Sequence, residues 1–149
     1  MSTRAQIGIR GYNVYLYVSQ DGYPSAVIPL LQKTIRRYCE ERGPRDYDFL
    51  LANILRAFER NLEEERKSII SKETNLPKYK PSLYDFGIGT ELLPGINYYY
   101  EVNLRDEIIE VYENNSLEIM DFSISEMDKI KDYEIGVNAK WLRTYLKMS

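Results

Sequence analysis

The stretch that most restricts the fold is Tyr17-Val18-Ser19-Gln20-Asp21-Gly22-Tyr23-Pro24, because the apolar period of the chain changes there from two to that of a helix. Upstream, Val14, Leu16 and Val18 alternate with Tyr15 and Tyr17, which is a strand with apolar residues on both faces, suited to the middle of a sheet. Downstream, Val27, Leu30, Leu31, Thr34, Ile35 and Tyr38 recur at helical spacing, with Lys33, Arg36, Arg37 and Glu40 facing away. Asp21-Gly22 tolerates left-handed backbone angles and breaks the strand, while Pro24 fixes its own φ and keeps Tyr23 extended. The helix that follows starts either with Ser25 as its cap or at Ile28 with Pro29 as its first residue, and Gly43-Pro44 ends it.

The rest of the chain is assigned around that junction. Thr3 to Ile9 alternates as a strand, Arg10-Gly11-Tyr12-Asn13 turns, and Val14 to Val18 returns, forming a hairpin. A second helix opens at Asp46 or Asp48 and runs to about Ser71, with Leu51, Ile54, Leu55, Phe58 and Leu62 inward. Its Glu63-Glu64-Glu65-Arg66-Lys67 run reads as a solvated face with a Glu63–Lys67 pair. Residues 72–95, broken by Pro77, Pro81, Pro94, Gly87, Gly89 and Gly95, read as one long loop. Three strands follow, Ile96 to Leu104, Glu107 to Tyr112 and Leu117 to Phe122, with connections short enough for an antiparallel meander. Ser125-Glu126-Met127-Asp128 resembles a capping box before a short helix with Ile130, and a last helix from about Asn138 carries Trp141, Leu142 and Tyr145. The expected architecture is one α+β domain over residues 1–149: a mainly antiparallel sheet of about five strands, N-terminal hairpin plus C-terminal meander, with helices packed on one face.

Composition narrows the chemistry. At 149 residues, one core suffices without metal or disulfide. The chain has no His and a single Cys, Cys39, which excludes Cys/His zinc sites, an internal disulfide and a Ser-His-Asp triad. Cys39 sits beside Tyr38, Glu40 and Glu41, an acidic setting that disfavours a thiolate, and reads as a helix residue. A net charge of -3 argues against a dominant nucleic-acid surface. Arg36, Arg37, Arg42 and Arg45 do cluster, but Glu40 and Glu41 interrupt them. No apolar run reaches the length of a membrane span and no signal-peptide core opens the chain, so the expected location is the cytoplasm. Fourteen Tyr against four Phe and one Trp supply rings with polar tips, which suit half-buried sheet faces and wet interfaces.

Thr3-Arg4-Ala5, a second strand ending at Tyr17, Asp21-Gly22-Tyr23-Pro24 and a helix with Leu30-Leu31 resemble a group of small proteins encoded by phages and other mobile elements. The Tyr-rich segment Gly95 to Val102 is similar to a tyrosine strand near the end of those proteins, while the specific match lies in the first thirty or so residues. Where that group often carries His-Trp before the turn, this chain has Ser19-Gln20. The resemblance implies a mobile-element accessory protein and brings no reaction with it.

Three functions are compatible with these residues. The first is a non-enzymatic binding protein that engages a small anionic ligand or a host protein, with Arg4, Asp21, Gly22, Tyr23, Lys80 and Asp85 as the ligand-binding set and no cofactor. The second is a metal-dependent hydrolase or nuclease in which Asp21, Asp85 and Glu91 hold the ion and Arg4 or Lys80 contacts phosphate. The third is a homo-oligomer burying Tyr15, Tyr17 and Tyr99 between copies.

Overall fold

The structure, a computed structural model, describes residues 3–72, 82–114 and 117–125. The two helices expected near residues 125–130 and from 138 onward lie outside the described residues, as does Lys80. Within them the order is β1 (Ala5–Ile9), β2 (Tyr15–Val18), α1 (Pro24–Arg42), α2 (Tyr47–Lys72), β3 (Phe86–Gly89), β4 (Tyr98–Asn103), β5 (Ile108–Glu113) and β6 (Leu117–Ser123).

The α+β class holds, but the sheet differs from expectation in two respects. It has six strands in the order β3-β2-β1-β4-β5-β6, and the central pair β1–β4 is parallel, with Ala5 opposite Tyr98 and Ile9 opposite Val102. The other four pairings are antiparallel. The additional strand is β3, inside the stretch that reads as loop. Its two glycines act as turn formers in a sequence reading, whereas here Gly87 and Gly89 lie opposite Tyr17 and Tyr15 of β2. After β3 the chain crosses the sheet face away from the helices, where Gln6 of β1 donates to the Glu91 carbonyl and accepts from the Leu93 amide. It then enters β4 alongside β1, with the Asn97 amide on the Arg4 carbonyl. That crossover makes the pairing parallel. Two strands joined by a tight turn must instead run antiparallel.

The core lies between the helices and one sheet face. Ile7, Leu16, Tyr100 and Val111 share a row across four strands, and Ile9, Val102, Ile109 and Phe122 form a second row on the same face. Against them α1 places Val27, Ile28, Leu31 and Ile35, and α2 places Leu50, Leu51, Ile54 and Phe58. Burying each of these aliphatic or aromatic side chains contributes about 1.5–3 kcal/mol, which outweighs the modest helix propensity of β-branched Val27, Ile28 and Ile35.

α1 opens on Pro24 rather than at Ser25 or Ile28. Tyr23 occupies the cap position in extended geometry (φ -76°, ψ 154°) with no side-chain cap, and Pro24 takes the first helical position, where no amide is needed. Pro29 therefore falls inside the helix, where the backbone of Ser25 loses a donor. At the other end Gly43, at φ 87°, donates its amide to the Cys39 carbonyl and stops the helix. Cys39 is half-buried, and burial, then the charge of Glu107, pushes its thiol above its ordinary range, in line with an inert helix residue.

Candidate functional site

The junction after β2 is built on backbone contacts. Asp21 has φ 57°, a left-handed angle that Asp accepts at small cost. Gly22 follows, buried against β1: its amide donates to the Thr3 carbonyl at 2.8 Å and its carbonyl accepts the Tyr100 hydroxyl at 2.6 Å. A Cβ at Gly22 would lie 2.7 Å from the Ala5 Cβ and 2.9 Å from the Thr3 carbonyl oxygen. Glycine is thus required by closeness to a neighbouring strand. Tyr100, wholly buried, has its phenol pushed well above its usual range by desolvation and stays a donor.

Beside the turn is a cavity of about 40 Å³ that brings together Asp21, Tyr23 and Asp85 from the sequence-derived set, with Glu65 and Asn61 of α2 and the apolar Val18, Phe58 and Phe86. Asp85 is committed there. Its carboxylate takes both Arg66 nitrogens, at 2.8 and 3.0 Å, and the Ser82 amide at 3.0 Å, while its carbonyl receives the Ser19 amide and hydroxyl. One residue thereby ties α2, the end of β2 and the start of β3. Opposite, Glu65 faces Asp21; desolvation, then the charge and hydrogen bond of Asp21, hold the Glu65 carboxyl above its ordinary value. Desolvation and then Asp21 also raise the Tyr23 phenol.

The remaining sequence-derived residues lie elsewhere. Gly22 packs on β1 behind the cavity. Arg4 donates to the Gly95 carbonyl at 2.7 Å and its amide to Asn97, at the entry to β4. Glu91 offers its carbonyl to Gln6 on the opposite sheet face. Asp21, Asp85 and Glu91 are accordingly not gathered as ligands of one ion, and among the described residues no three His, Cys, Asp or Glu side chains are.

Sequence reasoning missed Arg66, which sits half-buried in a run read as a solvated face, and the place of Glu65 at the cavity rim, although Glu65 is exposed as that reading has it. Glu63–Lys67 does pair on the outside, at 2.7 Å. Five consecutive helical residues, however, turn through more than a full circle, so some must point inward. The inward stripe of Phe58 and Leu62, extended by three or four residues, lands on Glu65 and Arg66; that spacing was the available signal.

On the face away from the helices, Tyr99 packs edge-on to Tyr15 (ring centroids 5.9 Å) and tilted against Tyr112 (5.7 Å). Gly8 makes the room, since a Cβ there would come within 2.6 Å of the Tyr99 hydroxyl. Arg10 joins Glu101 and Glu110 across β4 and β5, and those carboxylates accept the hydroxyls of Tyr99 and Tyr112. Burial, then Glu101, pushes the Tyr99 phenol far up. Tyr99 is thus buried by its own chain, and its ring is already covered without a second copy.

One sheet edge is unlike the other. Leu83 (90% exposed), Tyr84 (83%) and Ile88 (60%) flank or belong to β3, Leu92 and Leu93 follow on the crossover, and the one other exposed large apolar side chain among the described residues, Phe49 of α2, lies under Arg42. β3 itself, Phe-Gly-Ile-Gly, carries no charge. β6 at the far edge includes Glu118 and Asp121, and its pairing with β5 is broken by a bulge at Val111/Tyr112.

Comparison with protein-family models, curated proteins and solved structures finds no match to this chain. No helix among the described residues is long and apolar enough to cross a membrane.

Proposed function

We propose that this chain is a non-enzymatic accessory protein that engages a protein partner by accepting an extended segment along the outer edge of β3. The observation that carries the reading is the edge itself. Natural sheets guard such edges with charge, Pro or bulges. β3 is only four residues long but has none of these, and the exposed side chains of Leu83, Tyr84 and Ile88 precede it or stand on it. Strand addition uses main-chain hydrogen bonds for affinity and alternate side chains for specificity. Ile88 and the flanking Leu83 and Tyr84 offer the apolar contacts, and the glycines at 87 and 89 let another backbone approach closely. Asp85, fixed by Arg66, holds the start of β3 in place. The likeness of the first thirty residues to proteins of phages and mobile elements supports placing the partner in a host cell. The non-enzymatic part of the reading is supported by the place of Glu91, on the other sheet face from Asp21 and Asp85, and by the ion pair that occupies Asp85.

The test is selection from a displayed library of random peptides on the immobilised protein, counter-selected on Ile88→Lys. The expected winners alternate apolar and polar residues with period two and lose binding to Ile88→Lys. No enrichment, or peptides that bind both forms equally, would remove the reading. An antiparallel edge can also pair with its own copy, so a second reading is a β3–β3 dimer. Sedimentation equilibrium separates the two: a dimer that Ile88→Lys dissociates favours the second, and a monomer at all concentrations favours the first.

A further inference from the structure

The outer surfaces of α1 and α2 enclose a groove of about 500 Å³, the size of a small-molecule site. Its charge is opposite to that of the chain. Five cations line it, Lys33, Arg37 and Arg42 from α1 with Arg56 and Arg60 from α2, against the two carboxylates Glu41 and Glu64, in a protein whose acids outnumber its bases by 23 to 20.

The two helices are joined by the short turn at 43–46, so positions along the groove can be ordered by their distance from it. Lys33 of α1 lines the groove together with Arg56 and Arg60 of α2, which stand one turn, about 6 Å, apart along their helix axis. Glu41 stands at the turn end and Glu64 at the other. Arg37 is paired with Glu41 at 3.5 Å, and Arg42 with Asp46 at 3.1 Å while it covers Phe49. Lys33, Arg56 and Arg60 make no ion pair among the described residues. Three cations without carboxylate partners therefore form the centre of a groove whose two ends are acidic.

We infer that this groove binds a compact polyphosphate, several phosphate groups within a span of about one or two helical turns. Like charges gathered in a concave site focus a field that favours a multiply charged anion, and Arg forks match phosphate oxygens in pairs. The acidic ends oppose a long backbone, because a nucleic-acid strand running through the groove would meet Glu41 and Glu64. Nor is there a stacking platform for bases. Tyr38, the aromatic residue of the lining, is buried and its hydroxyl donates to the carbonyls of Arg45 and Asp46. The groove lies on the helical layer, away from the β3 edge, so this inference stands independently of the partner reading.

Isothermal titration of the full chain with tripolyphosphate tests it. The expected result is one site whose affinity falls at least tenfold between 0.05 and about 0.5 M salt, as screened charge contacts must. K33E/R56E should lose binding at least tenfold with an unchanged melting temperature, both residues being exposed. Lys67→Glu, outside the groove, should retain it. The inference is overturned if tripolyphosphate does not bind at millimolar concentration, if K33E/R56E binds as the parent does, or if a single-stranded oligonucleotide binds more tightly than tripolyphosphate.

Discussion

Gly22→Ala is a severe test of the junction after β2, because the new methyl group meets backbone rather than mobile side chains. It would lie 2.7 Å from the Ala5 Cβ, 2.9 Å from the Thr3 carbonyl oxygen and 3.0 Å from the Ala5 amide nitrogen, where carbon contacts settle near 3.5–4.0 Å. The turn cannot retreat freely, since Gly22 is held to Thr3 on one side and to the Tyr100 hydroxyl on the other. Overpacking of this kind costs about 1–3 kcal/mol. If the turn moves enough to break the bond from buried Tyr100, a further penalty of about 1–3 kcal/mol follows. A total of about 3 kcal/mol lowers the melting temperature by about 6–12 °C in a chain of this size. Circular dichroism through urea and heat measures both. Tyr100→Phe alone should cost about 1–2 kcal/mol, and the double variant less than the sum of the two, because they share one bond. Gly89→Ala, with open space around its Cβ, is the control and should change stability by no more than about 0.5 kcal/mol. A Gly22→Ala protein melting within about 2 °C of the parent would refute the reasoning.

Further outcomes follow from the cavity and the tyrosine face. Arg66→Ala strips a mostly buried carboxylate of its fork; with Arg66 itself partly in solvent the loss should be about 1–2 kcal/mol, seen by urea denaturation, with faster amide exchange across 82–88 as the local readout. No change in either would mean that Asp85 does not anchor β3. Desolvation, then Asp21, hold the Glu65 carboxyl above its ordinary value in the fold, so as pH rises the native state gives up this proton later than the unfolded chain does. Stability should thus be highest below the unfolded value, near about pH 4, and fall as pH rises through the folded one. Glu65→Gln should be more stable than the parent at neutral pH and remove that slope, whereas identical stability–pH curves would rule it out. Gly8→Ala drives a methyl group into Tyr99 and Tyr15 and should cost about 1–3 kcal/mol with a change in near-ultraviolet circular dichroism from the displaced rings; an unaltered spectrum would contradict that packing.

Much of this architecture was legible because burial imposes period. The stripe Val27, Leu31, Ile35 and the alternation of Tyr98, Tyr100 and Val102 are direct imprints of a helix and a strand facing one core. Pairing partners leave no such imprint. Alternation along β1 is the same whether its neighbour runs with it or against it, so the parallel contact with β4 could not be read from either segment. β3 was hidden for a related reason: Phe-Gly-Ile-Gly has two glycines in four residues and only β2 beside it, so the usual β-branched signature is missing. The site was legible in part. Asp21, Tyr23 and Asp85 do converge, because each sits next to a chain reversal at one end of β2 or β3. Arg4 shares the face of Gln6 and Gly8, as the period-two reading has it, and that face is opposite to the helices, so its side chain meets Gly95 and not the cavity. The basic groove was obscured by Glu40 and Glu41 in the linear sequence, whereas α1 and α2 together bring Lys33, Arg56 and Arg60 to one groove.

The parallel contact at the centre of the sheet also bears on how the chain is made. β1 is synthesised first and pairs early with β2, yet its other edge is closed only when Tyr98 to Val102 have left the ribosome. Until then a nascent chain carries two finished helices over an incomplete floor, and contacts so distant in sequence form slowly. Completion of the N-terminal half is in this way conditional on the C-terminal half, and a chain cut short before β4 would expose the middle of its own sheet to aggregation or proteolysis.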